Sequence, residues 1–512
     1  MKIPDDPLTS HYAPMENSMS KRFLIPVLLF ALFFAGMAIV QFASPDLPDN
    51  DGFYHIKLAW LMRTESLKPN FPWLPLSILN EEEFYDHHFL FHVALIPFTF
   101  GDLRLGAKWA AVTFSAVSFL CVWYLFHRQK IPASWLWAIA LLGISDAFLY
   151  RMSITRVQSL SLAVLALGFA WILEGKYKHL AVLSFLYVWM YDAFPLILAV
   201  AGLHFLAVLL MERRFEFRPL LWAGIGIGAG LIINPYFPDN LIFTYHHLLP
   251  KLQDATSVNV GNEWYPYDTN QLLGNSLPAL VAFVSGALAL GLSGRKMDLR
   301  TATSFLIALL FGLMLFKARR FVEYFPPFAL IFSAFAWAPL FDVEHRPVIF
   351  TSKFLAGLQS NLPIILLAVA VSVGIVKTIP VTQDRLSQSK PYDLYEGASD
   401  WLTQNTLAGE RVFQTDWDDF PRLFFYNTHN TYLAGLDPTY LQLYDSDLYD
   451  VWVQITRGEV DLSSQVILER FGARYVHTDL NHGNFLRQAA NDSGMAEVYR
   501  DGQSVIFEVV EP

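Results

Sequence analysis

Between positions 23 and 42 the chain runs about 20 residues, one bilayer thickness, without a charge, directly after Lys21 and Arg22. No small-residue cleavage site follows, so the run reads as an anchor and not as a removed signal peptide. Ten further apolar runs repeat the pattern, at 105–126, 132–149, 157–173, 180–191, 194–211, 220–233, 277–292, 301–316, 321–341 and 362–376. Such a succession allows few folds, because a bilayer satisfies backbone polar groups only inside helices or closed barrels. About eleven helices, up to thirteen with the shorter segments, make a polytopic α-helical membrane protein. Pro97 and the polar Asp86-His87-His88 give residues 89–100 the character of a re-entrant or interfacial segment.

Composition supports this class and excludes others. The chain is 54% hydrophobic and only 16% charged, and its 15% aromatics fit girdles at membrane interfaces. A net charge of −10 is the opposite of a nucleic-acid binder's basic footprint. The single cysteine, Cys121, sits in an apolar run, which rules out a disulfide or thiolate-metal framework.

Basic residues set the orientation. With a cytoplasmic N-terminus, the inside segments carry Lys2, Lys21, Arg22, Arg128, Lys130, Lys176, Lys178, Arg213, Arg214, Arg218, Arg295, Lys296, Arg300, Arg346 and Lys353. The outside loops are longer and carry fewer, as topology rules require. An odd number of spans puts the tail outside. From about Lys377 charges and turn residues return, and apolar runs shrink to strand length at 411–414, 473–477 and 504–510. Helical patterns at 396–404 and 464–471 lie between them, so residues 377–512 read as a small extracytoplasmic α/β domain. Residues 1–376 form the multi-span domain, with external loops at 44–104 and 236–276. The protein is expected in the plasma (inner) membrane, in contact with the lipid bilayer.

On this map Asp51, His55, Asp86-His87-His88, Arg151, Arg156, Asp192, Glu263, Arg319 and Arg320 all fall at outer ends of spans. Arginine is out of place on that face. The cluster "KARR", 317–320, is an interfacial anchor, a grip for phosphate, which guanidinium holds by paired hydrogen bonds, or the sign of a wrong count of spans.

Several of these stretches resemble, in order, the motifs of the oligosaccharyltransferase catalytic subunits, a family of GT-C membrane glycosyltransferases. "NDGFYHIKLAWLMR", 50–63, resembles the first-loop acidic motif, with Asp51, the aromatic pair Phe53-Tyr54 and His55. "DHHFLFH", 86–92, is similar to the histidine-rich approach to the next membrane segment. "NEWYP" offers Glu263 in the long external loop. "RRFVEYFPPFALIF", 319–332, looks like the segment whose arginine contacts the lipid pyrophosphate, which maps onto Arg320. Trp417-Asp418 match the last two residues of the Trp-Trp-Asp segment, with Asp416 in place of the first tryptophan.

The resemblance implies a GT-C fold and transfer of a sugar or oligosaccharide from a polyprenyl-(pyro)phosphate carrier. The acceptor would be protein, with a lipid, an envelope glycan or a protein hydroxyl as alternatives. It also implies a single-subunit enzyme, as in bacterial and archaeal members. Arg320, Arg319 and Arg156 would hold the donor phosphate, where negative charge gathers as the leaving group departs. Asp51 would bind or deprotonate the acceptor, Glu263 would be a second acceptor- or metal-binding carboxylate, and His55 would carry a proton or bridge the loop. Trp417 and Asp418 would bind the acceptor.

One departure bears on metal. The family's second acidic motif corresponds to "YRMSITRVQSLSL", 150–162, which has Arg156 and Gln158 where acids belong. Either an Mg²⁺ or Mn²⁺ site is rebuilt from Asp51, Glu263 and His87 or His88, or the Arg156 cation replaces the metal. A transporter or a non-catalytic binder of lipid-linked sugar is the reading from another class. No internal repeat supports a transporter.

Overall fold

The computed structural model describes residues 16–252, 261–294, 296–341 and 353–510. Lys2, Arg295 and Arg346 of the topology reading lie outside the described residues, as does 253–260 of the long loop. Each of the eleven apolar runs forms helix. Among the described residues six helices are long and apolar enough to cross a membrane: Leu24–Gln41, Leu103–Arg128, Pro195–Glu212, Thr269–Ser293, Leu299–Lys317 and Asn361–Ser387. The run at 132–149 is instead a pair, Ser134–Leu142 and Asp146–Met152, bent by 86°. The remaining four, Gln158–Leu173, Tyr177–Met190, Arg218–Ile232 and Phe325–Trp337, have 13 to 16 residues. At about 1.5 Å per residue these fall short of a ~30 Å hydrocarbon core. Counting apolar runs therefore overstates the number of full-length spans. Residues 89–98 form a short helix ending in a 3₁₀ turn at Ile96–Phe98, consistent with a segment that does not span.

Small residues set the closest packing. Gly226 and Gly230 of Arg218–Ile232 press against the backbone of Ala181 and Phe185 in Tyr177–Met190, where a Cβ would collide. This four-residue spacing of small residues is a recurrent way to dock helices in lipid. Gly143 plays a different part. It lies against Gly374 and Ile375 of the last long helix, and the chain breaks there, with Ser145 capping the next helix by accepting from the Phe148 amide at 3.1 Å. The break turns Asp146–Met152 sideways and aims Arg151 toward the site. Ser145 also donates to the carbonyl of Asn275 at 2.8 Å, beside the non-helical Ser276 and Pro278 that kink Thr269–Ser293.

The last long helix continues to Ser387, beyond its apolar run, before the chain enters the C-terminal domain. That domain is built on a five-stranded mixed sheet in the order β2-β1-β3-β5-β4. The strands are β1 (Arg411–Gln414), β2 (Thr431–Tyr432), β3 (Tyr475–Asp479), β4 (Met495–Arg500) and β5 (Ser504–Val509). β1 runs parallel to β2 and β3, and β5 antiparallel to β3 and β4. β3 is buried along its whole length. The strand patterns at 411–414, 473–477 and 504–510 correspond to β1, β3 and β5. The helical patterns correspond to Glu396–Asn405 and to Ser463–Val466 with Ile467–Phe471.

Helical body and domain are joined through helix Asp51–Thr64 and the turn before it. Lys108 donates to the carbonyls of Ser44 and Asp46 (2.5 and 2.9 Å), and the Tyr150 hydroxyl donates to that of Pro48 (2.6 Å). From the domain, the buried Arg422 donates to Asn50 Oδ1 at 2.7 Å and lies over the Phe53 ring at 4.4 Å. Its remaining donors meet the carbonyls of Pro391, Tyr392 and Lys390, which makes burial of the guanidinium tolerable.

Candidate active site

The charged side chains of the site hang from the ends of elements, where backbone turns can aim them. Asp51 opens helix Asp51–Thr64, and Asp49 precedes it. Arg151 ends the short helix Asp146–Met152, and Arg156 sits just before Gln158–Leu173. Glu263, Arg320 and Asp418 lie on single 3₁₀ turns, Asn262–Trp264, Arg319–Glu323 and Trp417–Asp419. All of these face a cavity of about 710 Å³ walled by both the helical body and the C-terminal domain.

Arg156 occupies its centre. It grips Asp49 through Nε and through Nη2 (2.9 Å to Oδ1), and Nη2 is also 2.8 Å from Asp51 Oδ2. Its Nη1 stands 3.5 Å from Glu263 Oε2. Arg151 donates through Nε to Glu323 Oε1 at 2.7 Å and reaches Glu263 Oε2 at 3.0 Å. Arg320 places Nη1 3.5 Å from Glu263 Oε1 and donates from Nη2 to the Tyr191 hydroxyl at 2.9 Å, with its guanidinium 4.2 Å over the Trp264 ring. Asp51, Glu263 and Arg320, far apart in sequence, are thus brought together with Arg156.

The two carboxylates respond differently to this setting. Burial alone would raise the Glu263 carboxyl, but Arg320, Arg151 and Arg156 hold it well below the usual carboxylate range. Asp51 has only Arg156 to oppose its enclosure. Burial pushes it up to about 7, and the negative charges of Asp49, Asp418 and Glu263 push the same way. Asp418 is raised to about 6 by burial and by Asp416, against Lys390.

The other expected residues divide. His55, His87, His88, Trp417 and Asp418 all line the cavity. The rings of His87 and His88 lie 4.2 Å apart, and His88 stacks on Tyr191. Asp418 Oδ2 accepts from Asn50 at 2.6 Å, which ties the turn Trp417–Asp419 to the turn bearing Asp51. Arg319 turns away. Its Nε donates to the Pro266 carbonyl at 3.1 Å, and it lines a second cleft with Arg385 that shares Arg151, Glu263 and Arg320 with the cavity. Asp49, Glu323 and Tyr191 were given no role by the sequence reading, and Arg151 only a place at a span end. Asp49 stands two residues from Asp51, the one signal that could have flagged it. Glu323 was hidden inside an apolar run.

A divalent ion needs several oxygens aimed at one point. Here Asp49, Asp51 and Glu263 are all turned onto Arg156. Among the described residues no three His, Cys, Asp or Glu side chains converge as metal ligands. As placed, Asp51, Glu263, His87 and His88 do not form such a set.

No protein-family model and no curated protein sequence matches the chain. Solved structures do. The Archaeoglobus fulgidus oligosaccharyltransferase in its apo form superposes with a TM-score of 0.64 at 14% identity, covering 97% of this chain and 75% of that one. ArnT from Cupriavidus metallidurans, bound to undecaprenyl phosphate, gives 0.58 at 14% identity, covering 97% of this chain and all of that one. The arabinofuranosyltransferase AftD from Mycobacteria gives 0.57 at 14% identity, covering 94% of this chain and 40% of that one. The chain has the GT-C fold. The matched length takes in the C-terminal sheet domain as well as the helices, so the GT-C likeness includes both walls of the cavity.

Proposed function

We propose that this GT-C protein is a membrane glycosyltransferase that moves a sugar or oligosaccharide from a polyprenyl-(pyro)phosphate carrier to an acceptor. The observation that carries this reading is the convergence of Asp51, Glu263, Arg156 and Arg320 on one cavity between the helical body and the sheet domain. The neighbours act or bind accordingly: one is an oligosaccharyltransferase, one an arabinofuranosyltransferase, and one holds undecaprenyl phosphate.

In the reaction, Arg320 stabilises the charge that builds on the departing phosphate. Its paired carboxylate stands 3.5 Å away, which leaves its field available to an anion. Asp51 takes the proton of the attacking group, a role suited to a carboxyl that titrates near neutrality. Glu263 remains ionised and holds Arg151, Arg156 and Arg320 in place. Arg156 supplies the positive charge beside Asp51 that a metal would otherwise bring. The orientation that suits this reading puts the cavity and the C-terminal domain outside the plasma membrane.

The acceptor is protein on the first reading, supported by Trp417 and Asp418 at the cavity wall. The replacement of the first tryptophan by Asp416 favours a hydroxyl-bearing acceptor as the second, since one face of a peptide pocket is gone. Mass spectrometry of glycan-bearing products after co-expression with a lipid-linked oligosaccharide pathway decides between them. A glycan linked to a peptide amide nitrogen supports the first, a glycolipid, an envelope glycan or a glycan on a protein hydroxyl the second, and no new glycoconjugate refutes both.

A further inference from the structure

Behind the cavity wall lies a buried chain of three side chains. His92 Nδ1 is 2.7 Å from Asp86 Oδ2, and His92 Nε2 is 2.7 Å from His55 Nδ1. His92 is fully buried, with Asp86 and His55 at 3% and 5% exposure, so bulk water does not compete for these bonds. The other oxygen of Asp86, Oδ1, accepts from the His88 amide at 3.0 Å. Only His55 of the three faces the cavity, one helical turn beyond Asp51 on the same face of helix Asp51–Thr64.

The partners fix the protons. A carboxylate only accepts, so His92 carries its proton on Nδ1 and gives it to Asp86. With His92 carrying that single proton, its Nε2 lone pair accepts from Nδ1–H of His55. His55 is left with a lone pair on Nε2, and no described residue donates to it. From this arrangement we infer that Asp86 and His92 are positioning residues that lock His55 as a hydrogen-bond acceptor toward the cavity, where it reads a hydroxyl of the substrate. The inference rests on the glycosyltransferase reading for its ligand, because a sugar offers hydroxyl donors whether it belongs to the carrier-linked donor or to the acceptor. Burial, together with His92, His88, Arg156 and His87, holds His55 well below its ordinary range. It therefore stays neutral and accepts a hydrogen bond without taking the proton, which leaves proton removal to Asp51.

Asp86→Asn tests the lock without changing shape. The backbone amide of His88 keeps the asparagine oxygen, which turns the NH₂ toward His92 Nδ1. The whole chain must then reverse, and His55 presents N–H to the cavity. Nitrogen-15 NMR on histidine-labelled protein in bilayers reads this directly, with no substrate required. The parent is expected to show Nδ1-protonated, Nε2-bare rings for both His55 and His92, and Asp86→Asn the opposite tautomers. A parent His55 protonated on Nε2, or a doubly protonated His92, overturns the lock.

Turnover is then followed with lipid-linked oligosaccharide extracted from the co-expression host. Asp86→Asn is expected to raise KM roughly tenfold, the worth of one lost hydrogen bond, with kcat less affected. A rise in the donor's KM assigns the hydroxyl to the carrier-linked sugar, and a rise in the acceptor's KM assigns it to the acceptor. If the tautomers switch and neither KM moves, the hydroxyl reading is wrong. His55→Phe, which keeps a ring but has no acceptor, is expected to raise the same KM as Asp86→Asn. Arg320→Ala separates the two proposals: it lowers kcat if the glycosyltransferase reading holds, whatever the histidines do.

Discussion

Asp51 and Glu263 line the same cavity and touch the same arginine, yet their protons answer to opposite surroundings. Glu263 is shared by three guanidinium groups and is held well down. Asp51 has one, which it shares with Asp49, and burial lifts it to about 7. About a fifth of each side chain remains exposed, so the difference comes from the count of neighbouring cations rather than from access to water. Pairs of carboxyls pushed apart in this way commonly divide the labour of a site. On the proposed reading the moving proton belongs to the Asp51 side and the fixed charge to the Glu263 side.

The largest expected effect comes from deleting the titrating partner. Asp51→Asn should reduce kcat by roughly 10²–10⁴-fold, the range for loss of a general base, with normal expression and an unchanged thermal midpoint. Glu263→Gln should instead lower the thermal midpoint together with activity, because three arginines lose a shared anion. Melting curves beside turnover per folded molecule check this. The comparison fails if Asp51→Asn is the variant that melts early.

Next in size is Arg320, which belongs to the Glu263 side. Arg320→Ala should cut turnover about 10²–10³-fold, as removal of one preorganised donor does. Arg320→Lys should recover only part, since an ammonium keeps the charge and loses the two-pronged geometry and the stacking on Trp264. Full activity in the lysine variant would make the residue a simple anchor.

A smaller effect lies in the pH profile. A base must be ionised, so with the Asp51 carboxyl near 7 the rate should fall about tenfold per pH unit below that point. Glu263 stays ionised through the same window and adds no limb. Asp49→Asn removes a negative neighbour and frees Arg156 for Asp51. Both changes favour the ionised form, so the acid limb should move to lower pH. A limb that stays put or moves upward would show that another group sets it.

Much of the Asp51–Glu263 contrast was out of reach of the sequence. Asp51, Glu263 and Arg320 were legible because each sits in a stretch that resembles a family motif, at 50–63, in "NEWYP" and at 319–332. Arg156 was named as well, but the pairings were not, since Arg151 with Glu323 and Arg156 with Asp49 meet only in three dimensions. Arg319 and Arg320 are neighbours in sequence, but on their 3₁₀ turn only Arg320 reaches the main cavity, while Arg319 lines only the second cleft. Helix positions followed from hydropathy, whereas the short helices defeat a count of full spans by residue number. In the C-terminal domain β1, β3 and β5 announce themselves as apolar runs. β2 has two residues, and β4 is half-buried on both faces, so neither carries a readable alternation.

The smallest expected effect is the most discriminating for the charge at the centre of the comparison. If Arg156 supplies the cation beside Asp51, EDTA should change turnover by less than about twofold, and added Mg²⁺ or Mn²⁺ should do nothing. A site that needed metal would have to pull Asp51 and Glu263 off Arg156 and recruit His87 or His88, a rearrangement with no ligand set prepared for it among the described residues. Loss of activity in EDTA with recovery in Mn²⁺ would therefore refute the substitution and reassign Arg156 to the donor phosphate. Arg156→Ala sharpens the test from the other side. It strips Asp49 and Asp51 of their cation beside Glu263, which keeps Arg151 and Arg320, and so opens an oxygen-rich set of the kind Mn²⁺ accepts. The variant should be nearly inactive alone and gain activity with Mn²⁺, while the parent stays indifferent to the ion.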